Sequence, residues 1–423
     1  MQKPILTIFY QFNPWQSSIG GIQTVIRSFI KYSPQEFELR LVGTQADSLH
    51  PLGKWQDSEL AGKAIRFMPV LTLPNDNVKH LIPTTVKYTA ALWGRRLSSD
   101  FMHFHRLEPT LAALNWTGEK TLFVHNDIQK QIDSSGKKDA ILWQRLPVAY
   151  LALERLLVNQ FNQILSCNTQ SVQHYRQHYP AMADRVSYIK NTVDNEICYP
   201  LSWEERKQSR CKLAQQMGLA TDTRFVLFAG RLHAQKDPIL LVRSLTAINE
   251  PNVHLLIAGD GDLKDELSAE IERLGLSKQV TLLGALVQKE LAQFMRICNV
   301  FILTSAYEGL PVVVLEALAC GAPIVTTRCG ETPKLLDFQS GVVCQERTPT
   351  AIADALRQVL LHPEDYPIEA CVQAAEPYSA SRVVANIYAD MWERWQQKNY
   401  LSKDLTFPTT LKGADTFNVQ TLK

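Results

Sequence analysis

Short apolar runs recur along this chain, each followed by a longer amphipathic stretch, and that alternation leaves few folds open. Ile5–Tyr10 reads as a buried strand and leads through a glycine-containing loop into a helix over Gly21–Tyr32. Phe37–Val42, Phe101–Phe104, Leu122–Val124, Gln163–Ser166 and Val186–Ile189 read as further strands, with helical patterns over Ala140–Phe161 and Thr169–Tyr179. After Asn191-Thr192-Val193-Asp194 the pattern restarts with a polar helix, Trp203–Met217, that ends at Gly218. Strands then follow at Phe225–Ala229, Val253–Ala258, Val280–Leu282, Val300–Leu303 and Pro323–Thr326. Helices separate them at Asp237–Ile248, Leu263–Leu274, Gln288–Arg296 and Val312–Cys320. Alternation of this kind predicts parallel sheets covered by helices on both faces. We therefore expect two α/β domains, residues 1–195 and 196–378, joined near residues 191–202. A closing helix occupies 379–400, with Ser379–Gln397 as its amphipathic part, and the polar residues 401–423 read as a loosely ordered tail.

Composition narrows the function. The chain has 423 residues, 45% hydrophobic and 20% charged, as an ordinary globular protein does. Its 44 basic and 42 acidic residues leave a formal charge of +2, which removes the broad basic field of a nucleic-acid binder. The 8 cysteines form no C-x-x-C pair and no zinc spacing. Most lie in apolar runs, as buried reduced thiols do, which points to a reducing compartment. The N-terminus lacks a signal-peptide core, and no apolar run approaches the roughly 18–20 residues of a membrane span. The expected location is cytoplasmic, touching a membrane only from outside.

Open parallel sheets bind ligands at the carboxyl ends of their strands, so the strand-to-helix junctions hold the chemistry. The richest runs Thr304-Ser305-Ala306-Tyr307-Glu308-Gly309-Leu310-Pro311-Val312-Val313-Val314-Leu315-Glu316. Pro311 is placed to open a helix, where its missing N–H is harmless. The amides of Val312 and Val313 then point out of the helix N-terminus, ready for phosphate. Glu308 and Glu316 flank that end, one suited to sugar hydroxyls and the other to a ribose diol. A capped helix with a solvent-facing glutamate is the plainer reading of the same spacing. The second junction, Gly230-Arg231-Leu232-His233-Ala234-Gln235-Lys236-Asp237, sets two cations over the same crevice, where they can stabilise a departing diphosphate as a metal ion would. Alone, such cations are often solvated surface charges. The third, Ser18-Ile19-Gly20-Gly21, allows close approach to phosphate, or is simply a turn. Neither a dinucleotide fingerprint nor a P-loop occurs, which argues against a dehydrogenase.

Together these clusters resemble glycosyltransferase family 4, over roughly residues 3–398. That family pairs a Gly-Gly loop with G-R-x-x-x-x-K and E-x7-E motifs, here Gly20-Gly21, Gly230-Arg231 with Lys236, and Glu308 with Glu316. The strand ending Asn191-Thr192-Val193-Asp194, the turn Gly259-Asp260-Gly261, and Ala317 with Gly321 and Pro323 are similar too. The resemblance implies a GT-B fold: two Rossmann-like doubly wound domains facing a central cleft, with a C-terminal helix returning to the first domain. It implies a nucleotide-sugar donor, UDP- or GDP-linked, and retention of configuration by front-face attack, with no protein nucleophile assigned. Arg231 and Lys236 would hold the diphosphate, Glu308 the transferred sugar and Glu316 the ribose. Gly20 and Gly21 would approach the phosphate from the first domain, and Leu286 would lie near the base. Gly230, Gly309, Leu310, Pro311, Val312 and Val313 complete the implied donor site. His125 would face the donor sugar, so the catalytic set is Glu308, Arg231, Lys236 and His125. Of His103 and His105, which alternate along one strand, His105 is expected to reach the cleft. Two departures stand out: Thr192 where the family has Gly, and Asp237 where Gly is frequent.

Asp260-Gly261-Asp262 looks like a D-x-D metal motif, but it begins a helix and reads as an N-cap, so no metal and no cofactor are expected. The expected partners are the donor and a glycan or lipid-linked acceptor, as in cell-surface polysaccharide or glycolipid synthesis. Nucleic acid is not expected, and nothing in the sequence fixes an oligomeric state. Lys79–Leu97 joins Lys87, Arg95 and Arg96 to Leu81, Ile82, Tyr88, Leu92 and Trp93. It reads either as a helix packed on its own sheet or as a peripheral membrane contact. Two rival functions remain open: an epimerase acting on the sugar nucleotide itself, and a non-catalytic sugar-nucleotide-binding module.

Overall fold

The computed structural model describes residues 3–15, 20–46, 51–73, 82–125, 147–248, 250 and 252–404. Their strands form two sheets. The first contains β1 (Ile5–Phe9), β2 (Glu38–Gln45), β3 (Gln56–Leu60), β4 (Lys63–Thr72), β5 (Phe101–Phe104), β6 (Glu119–Val124), β7 (Gln163–Ser166) and β8 (Val186–Tyr188). Its spatial order is β3-β4-β2-β1-β5-β6-β7-β8. The second contains β9 (Arg224–Ala229), β10 (Val253–Ala258), β11 (Val280–Gly284), β12 (Val300–Leu303), β13 (Ile324–Thr326) and β14 (Gly341–Val343), ordered β11-β10-β9-β12-β13-β14. Every pairing is parallel except β3 with β4.

Helices cover both faces of each sheet, which is why the central strands read as unbroken apolar runs. β10 and β12 are buried at every residue. On one face of the second sheet, Val226, Phe228, Leu255 and Ile257 pack against Leu241 and Leu245 of helix Pro238–Ile248 and Leu356 and Leu360 of helix Pro349–Leu361. On the other face, Leu227, Leu256 and Phe301 meet Leu315 and Leu318 of helix Val312–Ala319.

Strand order reverses between β1 and β5 in the first sheet and between β9 and β12 in the second. Neighbouring connections leave in opposite directions at such a point, opening a crevice at the carboxyl ends of the strands. The chain passes between sheets through Asn191–Asp194 and returns by a parallel bridge between Val193 and Ser379. Helix Ala380–Asp404 then lies on the first sheet's helix Gly21–Lys31, and the Tyr388 hydroxyl donates to the Phe29 carbonyl at 3.0 Å. The return of the closing helix is as expected, except that it continues to Asp404, so 401–404 are helical; 405–423 lie outside the described residues.

The other expected elements appear as well, strands Phe101–Phe104, Gln163–Ser166, Val253–Ala258 and Val300–Leu303 with the expected bounds and others with shifted ends. Helix Pro147–Leu157 is the described part of the one expected over Ala140–Phe161; residues 140–146 lie outside the description. Among the described residues of Lys79–Leu97, only Thr84–Leu92 is helical; Lys79 to Leu81 lie outside the described residues. That helix buries Tyr88 and Leu92 on the first sheet, with the Tyr88 hydroxyl donating to the Val42 carbonyl at 2.7 Å. No helix among the described residues is long and apolar enough to cross a membrane.

Candidate active site

The second sheet's reversal brings two loops together. One follows β9 and carries Gly230 to Asp237; the other follows β12 and carries Thr304 to Pro311. They are tied directly: the Ala306 amide donates to the Gln235 carbonyl at 2.8 Å, and the Thr304 hydroxyl donates to the carbonyls of Lys236 and Asp237 at 2.8 and 3.0 Å. Asp237 lies at φ 47°, a left-handed conformation that glycine adopts without strain and aspartate tolerates better than most residues. This is the physical meaning of a position where glycine is frequent. Asp237 adds something glycine lacks: its carboxylate accepts from the Leu240 amide at 3.1 Å, capping the following helix, and pairs with Arg347.

Within these loops Lys236 Nζ contacts Glu308 Oε1 at 2.5 Å. The pair locks a cation and a carboxylate side by side at the crevice. Pro311 occupies the N-cap of helix Val312–Ala319, with extended backbone angles, rather than the first helical turn that the sequence led us to expect. The consequence for the amides is unchanged. Val312 and Val313 lead the helix, so no preceding turn supplies them with carbonyl acceptors. One turn on, Glu316 is buried and accepts from the Gln288 side-chain amide at 2.6 Å. Burial raises its carboxyl to about 7, with the Gln288 hydrogen bond opposing and the charge of Asp194 adding. Arg231 is exposed, and no carboxylate among the described residues pairs with it.

The first sheet closes the other side. A Cβ on Gly309 would stand 2.1 Å from the His125 carbonyl oxygen, so only glycine lets the second sheet's loop come this close to the end of β6. A Cβ on Gly21 would stand 3.3 Å from Cγ2 of Val312, a second close approach across the cleft. Asn191 bridges as well, donating from its side-chain amide to the Leu310 carbonyl at 2.8 Å. His125 Nε2 lies 2.8 Å from His105 Nδ1, one nitrogen donating and the other accepting. Burial holds the His125 imidazole down to about 3, with the charge of Arg106 adding, so it is neutral at physiological pH.

One cleft is lined by every residue singled out from the sequence as donor-binding or catalytic: Gly20, Gly21, His125, Gly230, Arg231, Lys236, Leu286, Glu308, Gly309, Leu310, Pro311, Val312, Val313 and Glu316. Ser18 and Ile19, of the first glycine loop, lie outside the described residues. His105 does not line the cleft; it stacks on Phe123 behind His125, with ring centroids 4.8 Å apart. His103 is buried between Phe29 and Phe123. Asp260 and Asp262 are exposed, and neither is the N-cap expected of them: Leu263 holds that position of the following helix, with no side-chain cap. No cluster among the described residues has the makings of a metal site. Sequence reasoning missed Tyr10, Arg106 and Gln288, all of which line the cleft. A solitary polar residue at a strand or helix end carries no pattern of its own. Only the alternation that places Tyr10 and Arg106 after their strands could have marked them.

Comparison with known proteins bears on the fold and on the family this chain resembles. Residues 209–375 match the model of the group 1 glycosyl transferases. An uncharacterized glycosyltransferase of Methanocaldococcus jannaschii is 29% identical over 212 residues, 49% of this chain and 53% of that protein. The chain thus spans about half the length of the curated relatives it matches. Sucrose-phosphate synthase from Thermosynechococcus elongatus superposes with a TM-score of 0.75 at 15% identity, over 93% of this chain and 100% of that one. Anabaena HepE, solved in complex with UDP-glucose, superposes with a TM-score of 0.66 at 18% identity, over 92% of this chain and 100% of that one. Residues 209–375 are therefore similar to the group 1 glycosyl transferases, on a chain that has the GT-B fold.

Proposed function

We propose that this chain is a retaining glycosyltransferase of the family 4 type, which transfers a sugar from a UDP- or GDP-linked donor to a glycan or lipid-linked acceptor without a metal ion. One observation carries the reading: Arg231, the Lys236–Glu308 pair, the leading amides of helix Val312–Ala319 and the buried Glu316 converge on one cleft that the first sheet closes with His125. The donor lies along it with its ribose on Glu316, its diphosphate at Arg231, Lys236 and the amides, and its sugar between Glu308 and His125. The acceptor hydroxyl attacks the anomeric carbon from the side on which the diphosphate leaves. As the bond from carbon to phosphate oxygen breaks, that oxygen takes the hydroxyl proton, and the new glycosidic bond forms on the same face. Fixed cations and amides stabilise the charge growing on the phosphate. The neutral His125 imidazole serves as a hydrogen-bonding group to the sugar. UDP-glucose in the related HepE structure favours UDP as the first nucleotide to test.

The test is nucleotide release from UDP- and GDP-sugars with and without a panel of acceptors, in EDTA. Release that requires an acceptor and survives EDTA is expected. Sugar-nucleotide conversion without acceptor would make the chain an epimerase, and donor binding without turnover would make it a binding module. A strict need for Mg²⁺ or Mn²⁺, abolished by Asp262→Ala, would overturn metal independence.

The same reading includes a cytoplasmic location and a role in cell-surface glycan or glycolipid synthesis. Free thiols at all eight cysteines, seven of them buried, support the location. It also includes a peripheral membrane contact at Ile82, Val86 and Trp93, which are 51, 38 and 63% exposed beside the exposed Arg96. Anionic vesicles should sediment the protein at low salt and release it at high salt. Absence of binding at low salt removes the membrane contact and leaves the enzyme reading intact.

A further inference from the structure

We propose that Arg106 and Tyr10 form a second anion site in the same cleft, on the first sheet's side, which takes a phosphate or carboxylate carried by one of the two reacting sugars. The inference rests on the donor orientation proposed above. It begins with position. β1 and β5 are neighbours at the point where the first sheet's strand order reverses. Tyr10 follows β1 directly, and Arg106 stands two residues past β5, so both emerge in the ligand crevice of that sheet. The second sheet's crevice already has its occupant in the nucleotide. The first sheet's crevice faces it across the cleft, and Arg106 and Tyr10 line that same space.

Arg106 is also under-satisfied. A guanidinium has five N–H donors. Its Nε is buried without a partner, and no carboxylate or carbonyl among the described residues accepts from the group. The Tyr10 hydroxyl is within hydrogen-bonding reach, and the charge of Glu108 favours the cation. Two other arginines have a buried, unpaired Nε, but both are anchored elsewhere. Arg206 donates to the carbonyls of Gly321 and Cys298 at 2.7 Å each, and Arg357 donates to Asp354 at 2.7 Å. Neither lines the cleft. A desolvated cation left without an acceptor is destabilising. A planar fork held open towards a ligand crevice matches two oxygens of a phosphate or carboxylate. His125 lines the same cleft and is close enough to feel the Arg106 charge, which puts the bound anion near the reacting sugar.

Two sources can supply that anion: the acceptor, or an acidic transferred sugar. The experiment uses the full chain, wild type, Arg106→Gln and Arg106→Lys, with UDP affinity as the check that the donor half is folded. Inorganic phosphate is titrated calorimetrically into protein saturated with UDP-glucose, which blocks the diphosphate cradle. In parallel, UDP-glucuronate and UDP-glucose affinities are compared. Phosphate that binds the wild type over UDP-glucose and is weakened about tenfold or more in Arg106→Gln assigns the anion to the acceptor. Preference for UDP-glucuronate that disappears in Arg106→Gln assigns it to the transferred sugar. In either case Arg106→Lys, which keeps charge without the fork, should fall between. The proposal is overturned if phosphate does not bind and no glucuronate preference exists, or if Arg106→Gln behaves as wild type in both arms. If UDP itself does not bind the wild type, the donor reading fails separately. Phosphate is then titrated alone, and equal binding by wild type and Arg106→Gln overturns the anion site.

Discussion

The Glu316 carboxyl, pushed to about 7 by burial, links binding and stability in opposite directions. The folded protein keeps this proton where the unfolded chain, with an ordinary value of 4.5, has lost it. Its contribution to stability is therefore full below the unfolded value and is lost as pH rises through about 7. Ribose hydroxyls donate to an ionised carboxylate, so UDP affinity should fall as pH drops below that point. Glu316→Gln should flatten both dependences: at about pH 8 the ligand-free variant should melt above wild type, by up to roughly 3 kcal/mol of stability. Its UDP affinity should weaken about 10- to 150-fold. Glu308→Gln should instead lower kcat and spare UDP affinity, because its contact to the transferred sugar strengthens only as the glycosidic bond loosens. Thermal melts and calorimetry across that pH range, with donor-saturation kinetics, check all of this. If the two kinetic effects are exchanged, the donor lies the other way round.

Between single side chains and the whole chain lie the loops and strands, and there Gly309 is the sharpest test. An added Cβ meets backbone, the His125 carbonyl oxygen at 2.1 Å, so the loop after β12 and the end of β6 must separate. Gly309→Ala should destabilise by about 1–3 kcal/mol and lower kcat more than it lowers UDP affinity, since the separation opens the sugar end of the cleft beside His125, away from Glu316 and the ribose. Gly21→Ala is the milder control, because its Cβ meets the Val312 side chain at 3.3 Å, and side chains give way more readily. Equal effects would show that the cleft does not depend on this approach. The same loops show what sequence could convey. Glu308, Lys236 and Arg231 were legible because strand ends set them at one crevice and the family resemblance joined them into one site. The β3–β4 hairpin was not. Its edge strand Gln-Asp-Ser-Glu-Leu is mostly polar, and its turn places Ala61 and Gly62 at φ 53° and 75° without the Asn-Gly signal of such turns. Helix Pro349–Leu361 went unread although its signal is present, with Thr348 accepting from the Ala351 amide and Pro349 leading the first turn.

At the scale of the molecule, two sheets and a closing helix were legible because the strand–helix pattern runs twice and ends in one amphipathic segment, and the helix's return to the first domain was implied by the family resemblance. What that pattern could not tell is which unit the closing helix stabilises. The core contacts answer this. Val384, Tyr388 and Met391 belong to the cluster built on Phe29, Phe37 and Leu41 of the first sheet's layer. Neither core cluster of the second sheet contains a residue of that helix. Tyr388 is 2% exposed, packs on Phe37 with ring centroids 4.8 Å apart and hydrogen-bonds the Phe29 carbonyl. Tyr388→Ala should therefore cost about 3–5 kcal/mol, and the loss should fall on the first unit alone. We expect calorimetric melting to split, with the first unit unfolding at a lower temperature. UDP should raise mainly the upper transition, because Arg231, Lys236, Glu308 and Glu316 all stand on the second unit. Below the lower transition, UDP affinity should stay near wild type. Turnover should vanish as that transition is crossed, since Gly20, Gly21 and His125 leave with the first unit. A single transition that moves down intact would show that the two units melt as one body, with the closing helix stabilising both.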